Sequence, residues 1–131
     1  MFSALSTGWK LAGLAAALTI AAGVPAVALG HEAVTPKVVG NPKAGKPVFV
    51  STCGVCHRLK AAESVGNIGP NLDRVKLSEA VIVKAITNGG ASVMTKAQVA
   101  KYQTQMTPYK GVLSPAKIRN IAAFVYVSTH P

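Results

Sequence analysis

The sequence predicts a small all-α domain in which short helices and long loops surround a bound group. Three observations carry this. Two segments repeat apolar residues at helical spacing behind serine caps, and no segment alternates convincingly as a strand. The intervening loops are long for so short a chain, and loops of that kind in a compact fold usually bind something. The two cysteines, Cys53 and Cys56, stand three apart with His57 directly after the second.

The chain has 131 residues and a formal charge of +10, although 50% of it is hydrophobic. The apolar residues are concentrated near the start. From Leu11 to Gly30, "LAGLAAALTIAAGVPAVALG", there is no charge, and the preceding "MFSALSTGWK" carries only Lys10. A basic edge, an apolar run and the small residues Ala26-Val27-Ala28 read as a secretory signal peptide over residues 1–28. The alternative is an uncleaved membrane anchor, since about 20 apolar residues span a bilayer. Trp9 and Lys10 suit its interface, whereas Gly23 and Pro25 weaken a helix near its end, as is usual ahead of cleavage. Both readings put the working domain outside the cytoplasm, in the periplasm or on the outer face of the membrane. Residues 29–42, with Pro36, Gly40 and Pro42, read as a linker, which leaves a domain over 43–131. About a hundred residues build only a marginal core unless something else fills it.

Within that domain a first helix fits Lys43 to Thr52, with Gly45 and Phe49 on one face and Pro47 tolerable in the first turn. "VGNIGPNLD", Val65 to Asp73, is a turn-rich loop. Ser78 caps a second helix with Glu79 in its first turn, and Gly89-Gly90 stops it. The stretch 91–105 has little pattern, though Thr95 to Tyr102 supports a short helix. After a loop at Met106 to Gly111, Ser114 and Pro115 open the last helix. Its Ile118, Ile121, Ala122 and Val125 form one stripe with Phe124 beside it. Three to five helices are expected.

Cys-x-x-Cys-His has four readings. A thiol–disulfide active site expects the motif at a helix start after a strand, but here a helix precedes it. A zinc site needs about four ligands, and only His31 and His130 remain. A structural disulfide closing so short a loop contributes little. Covalent haem attachment is the reading the motif signifies: one turn brings both thiols to the two vinyl groups of a porphyrin edge and leaves the histidine under the iron. The haem then completes the core that the chain cannot.

A low-spin carrier needs a second axial ligand, and a methionine thioether raises the potential. Met106 stands in "QMTPYKGVLS", where Pro108 stiffens the loop and a helix follows. Met94, in "GGASVMTK", has no such brace. Met106 is favoured, with Met94 or an exchangeable sixth position as the alternatives.

Taken in order, these motifs resemble the class I monohaem c-type cytochromes from about Gly45 to Val127. Gly45 and Phe49 match that family's first helix, followed by Cys53, Cys56 and His57, then "GPNL" at Gly69 to Leu72, "MTPYKGVLS" at Met106, and a closing amphipathic helix. The resemblance implies the small cytochrome c fold around one covalent haem c. It also implies a hydrogen bond from the His57 ring to the Pro70 carbonyl, and a crossing of the first and last helices at Gly45 and Phe49 against Ile121 and Phe124. Thr107 departs from the pattern where many members have a second proline, and 91–105 is longer than in the small members.

The function expected is that of an extracytoplasmic single-electron carrier, not an enzyme. Cys53 and Cys56 would be the anchors, and His57 and Met106 the axial ligands. The basic excess predicts a face that steers encounter with the acidic docking face of a membrane redox complex. The resemblance implies a quinol-oxidising donor and a terminal oxidase or photosynthetic reaction-centre acceptor. With a retained leader, the domain would be a membrane-tethered subunit. No basic stripe with stacking aromatics points to nucleic acid. Asp73 and Glu79 form no acid–base pair for hydrolysis, and no small-molecule substrate is expected. The competing class is a haem enzyme or gas-binding protein with an open sixth position, for which no distal histidine or arginine motif speaks.

Overall fold

Asn41 opens the first helix. In the computed structural model, which describes residues 37–131, its side-chain oxygen accepts the amides of Lys43 and Ala44 at 3.0 and 3.2 Å, so α1 spans Pro42–Thr52. The leader at 1–28 and the linker as far as residue 36 lie outside the described residues. This start is one residue earlier than the sequence suggested, and Pro47 falls in the second turn, not the first. There it leaves the Lys43 carbonyl without its helical donor, which is tolerable because that residue is exposed to water.

The expected linker also gives way to fixed structure before Pro42. The Val39 amide donates to both carboxylate oxygens of Glu79 at 3.2 and 3.0 Å, and the Gly40 amide donates to one of them. The Asn41 amide donates to Asn120 Oδ1 at 2.8 Å. Glu79 therefore does more than complement a helix N-terminus: it ties the incoming chain to the body.

Two longer helices complete the frame. Helix α2 spans Glu79–Asn88 behind the Ser78 cap, and α4 spans Pro115–Thr129 behind Ser114. Between them, α3 is a single turn, Lys96–Val99, shorter than the Thr95–Tyr102 reading. Its ends explain this. Thr95 and Gln98 close a capping box at the start, and Gln105 Nε2 donates to the Val99 and Tyr102 carbonyls at the finish. The last helix runs past Val127 because the buried Thr129 hydroxyl donates back to the Val125 carbonyl at 3.0 Å.

The sequence offered no strand, yet Arg58–Leu59 (β1) and Ser64–Val65 (β2) pair antiparallel, Arg58 facing Val65 and Leu59 facing Ser64. Two residues are too few to display alternation. The 3-10 turn Lys60–Ala62 joins them, with Glu63 at φ 53°. Ser64 Oγ donates to the His57 carbonyl and accepts the Leu59 amide, at 2.9 and 3.0 Å. A further 3-10 turn, Leu72–Arg74, is capped by Asn71.

The core sits where α1, α2 and α4 meet. Phe49, Leu59 and Ile121 are wholly buried, with Ile82, Ile86, Ile118 and Val125 around them. Phe49 and Phe124 meet edge to face, their centroids 5.6 Å apart at 63°, an arrangement that adds about 0.5–1.5 kcal/mol to the burial itself. Gly45 makes the crossing close: a Cβ there would fall on the Asn120 carbonyl of α4. Gly45→Val should therefore push α1 off α4 and cost roughly 2 kcal/mol or more, at or above the ordinary range for overpacking. Denaturant unfolding of the haem-loaded protein measures this as a lowered midpoint at unchanged slope.

Candidate functional site

The end of α1 turns sharply. The Cys53 amide donates to the Phe49 carbonyl at 2.7 Å, and the Cys53 carbonyl then accepts the amides of both Cys56 and His57, at 3.1 and 2.9 Å. This tight turn brings Cys53, which is buried, and Cys56, which is half-buried, to one wall. Behind that wall lies a cavity of about 500 Å³, within the range of small-molecule and cofactor sites. Phe49, Ile86, Ile121 and Val125 from the three longer helices line it.

All five residues singled out from the sequence, Cys53, Cys56, His57, Pro70 and Met106, line this one cavity, and so does Met94. His57 Nδ1 lies 3.0 Å from the Pro70 carbonyl oxygen. A carbonyl can only accept, so Nδ1 is the donor here, and in the neutral ring Nε2 is the nitrogen left to bind a metal. Gly69 makes this approach feasible, since a Cβ there would stand 2.6 Å from His57 Cε1. Its amide donates to the Cys56 carbonyl at 2.9 Å, which ties the loop to the motif.

Met106 is held from the other side. The Gly90 amide donates to the Met106 carbonyl at 3.1 Å, the Tyr109 amide to Ile86 and the Lys110 amide to Thr87. The loop is thus fastened to the C-terminal end of α2. Gly89, at φ 87°, could not carry a side chain there, because a Cβ would lie 2.8 Å from the Met106 carbonyl. In the sequence Gly89-Gly90 read only as a helix stop. Their second role, seating Met106, depends on a residue 16 positions on and leaves no local signal. The Ser64 contact with His57 is equally silent in sequence.

Burial, then the neighbouring Cys56, push the Cys53 thiol up to about 11. Tyr109 is raised in the same way, by burial first and then by the two cysteines. The two cysteines form no disulfide with each other. Among the described residues no three His, Cys, Asp or Glu side chains gather as a metal site, so a zinc reading has no ligand set there. His130 instead stacks on Tyr126 at 4.4 Å. An apolar cavity with two cysteine sulfurs, an imidazole whose Nδ1 faces the Pro70 carbonyl and a thioether in the same lining fits an attached porphyrin. The stretch 91–105 also lines this cavity, through Val93, Met94, Gln98 and Lys101 among others.

The family model for cytochrome C oxidase, cbb3-type, subunit III matches residues 40–125, well over half of the chain. Among solved structures, the c-type cytochrome SorU from Sinorhizobium meliloti is similar, with 25% sequence identity and a TM-score of 0.48 over 66% of this chain and 88% of that one. No curated protein matches the chain. From the family match, the chain belongs to the cbb3-type cytochrome C oxidase subunit III family and is a monohaem c-type cytochrome, with covalently bound haem c serving electron transfer.

Proposed function

We propose that this chain carries single electrons outside the cytoplasm as part of a respiratory chain, with haem anchored through thioethers from Cys53 and Cys56 and iron held between His57 and Met106. The observation that carries this reading is the His57 ring, held by the Pro70 carbonyl at 3.0 Å, in a cavity that Met106 also lines. Bound there, haem iron supplies a one-electron couple whose potential a thioether ligand raises.

The chain's own contribution is rigidity. Pro70 fixes the tautomer and orientation of His57, and the Gly90, Tyr109 and Lys110 amides fasten the Met106 loop to α2. Ligands held from both sides keep nearly the same geometry in both oxidation states, which is what the protein supplies to a redox cofactor.

The subunit III family name supports a partner within a respiratory oxidase assembly, reached as a fixed subunit or as a carrier. Photosynthetic partners remain the more distant alternative implied by the class resemblance. A docking face lies beside the motif. Val55 is 68% exposed, Val65 76% and Ile68 45%, with Arg58 and Lys60 exposed among them. Glu63 and Asp73 are exposed close by, so attraction to an acidic docking face rests on the chain's overall basic excess, which sets encounter rate more than affinity. The leader at 1–28 supports export, whether it is cleaved as a signal peptide or retained as an anchor. No helix among the described residues is long and apolar enough to cross a membrane.

Two outcomes test the ligand set. The oxidised parent should show a far-red methionine–iron band that Met106→Ala abolishes, and the reduced variant should then bind carbon monoxide. A band that survives the substitution assigns the ligand to Met94, and a parent that itself binds carbon monoxide favours the open-site enzyme or gas-binding reading. Gly69→Ala should displace the His57 ring. An altered electron paramagnetic resonance spectrum and a stability loss of about 1–3 kcal/mol are expected, and an unchanged spectrum would separate the ring's position from Gly69.

A further inference from the structure

The cavity is apolar except along one stretch. Away from the Cys53–His57 motif, its polar side chains come from residues 98–107, with Thr52, Tyr109 and Thr129 as the exceptions. Thr129 spends its hydroxyl on the Val125 and Tyr126 carbonyls of its own helix. Within 98–107, Gln98 accepts the Thr95 amide and Gln105 donates to two carbonyls. Lys101 has no such commitment, and no acidic residue lines the cavity to pair with it.

Haem is amphipathic in its own plane. The edge that two thiols capture is apolar, and the opposite edge bears two propionate carboxylates. Carboxylates against an apolar wall are costly unless paired. We propose that Lys101 is the positioning residue for this edge, its ammonium pairing with a propionate. The inference rests on haem attachment at Cys53 and Cys56 as proposed above. The titratable groups facing the cavity are Cys53, Cys56, His57, Lys101, Tyr102 and Tyr109. Attachment converts the cysteines to thioethers, iron takes His57, and the tyrosines bring hydroxyls instead of charge. Lys101 is then the one cation of the lining. The capping box of α3 and the two Gln105 bonds give its segment the fixed shape needed to present it.

The sign follows from the pairing. A cation beside a propionate lowers its pKa and offsets its charge, so removing the cation raises that pKa and favours the oxidised iron. The test is spectroelectrochemical titration of the haem-loaded protein against pH. Lys101→Gln should lower the midpoint at neutral pH and move the inflection of midpoint against pH upward by about one unit, as for a charge pair within 4–6 Å. Lys101→Arg should keep the parent profile, and Lys96→Gln, which removes an exposed charge outside the cavity lining, should leave the inflection in place. An inflection unmoved in Lys101→Gln, or moved as far in Lys96→Gln, overturns the assignment while haem attachment stands. A parent that attaches no haem overturns both.

Discussion

One carbonyl organises this molecule. The Cys53 carbonyl accepts the amides of Cys56 and His57, and that turn sets both thiols and the imidazole against a single cavity. It forms because α1 ends at Thr52 and the Cys53 amide is still drawn to Phe49. The same Phe49 packs on Phe124 of α4. The helix crossing and the motif are therefore coupled through one side chain and one turn: where α1 rests on α4 decides where the cysteines point.

Around that turn the loops act as braces. Gly69 lets its loop touch the His57 ring while Pro70 accepts the ring proton, and Ser64 holds the His57 carbonyl from the small β-ladder. The Met106 loop is fastened by three backbone bonds, two to α2 and one to Gly90 just beyond it. These contacts reach His57 and Met106 from separate parts of the chain, so each side of the cavity is fixed without the other. Such a cradle suits a group that must change charge and not shape.

Composition complements geometry. The domain buries few large side chains of its own, and an apolar cavity of about 500 Å³ remains among its helices. A porphyrin in that space completes the core, which explains how so short a chain with few aromatics sustains a fold. The basic excess has nothing to do with this packing. It lies on exposed side chains and concerns association.

By itself the sequence made two signals legible in one dimension, the capped helices α2 and α4 and the haem-attachment motif. Ser78, Ser114 and the Gly89-Gly90 stop mark α2 and α4 because caps act within a few residues of themselves, and Cys53-x-x-Cys56-His57 declares its cofactor by spacing alone. What was not legible is what is paired across distance. The hold of Gly90 on Met106, of Ser64 on His57 and of Glu79 on Val39 each joins segments with no shared local pattern. The two-residue ladder was too short to show a period, and the Asn41 cap was hidden behind proline-rich sequence taken for linker. The stretch 91–105 had no readable role until tertiary structure laid it along the cavity. Local codes such as caps, turns and covalent motifs survive in one dimension, whereas close approach of backbone to ring, and of loop to helix, exists only once the chain has folded.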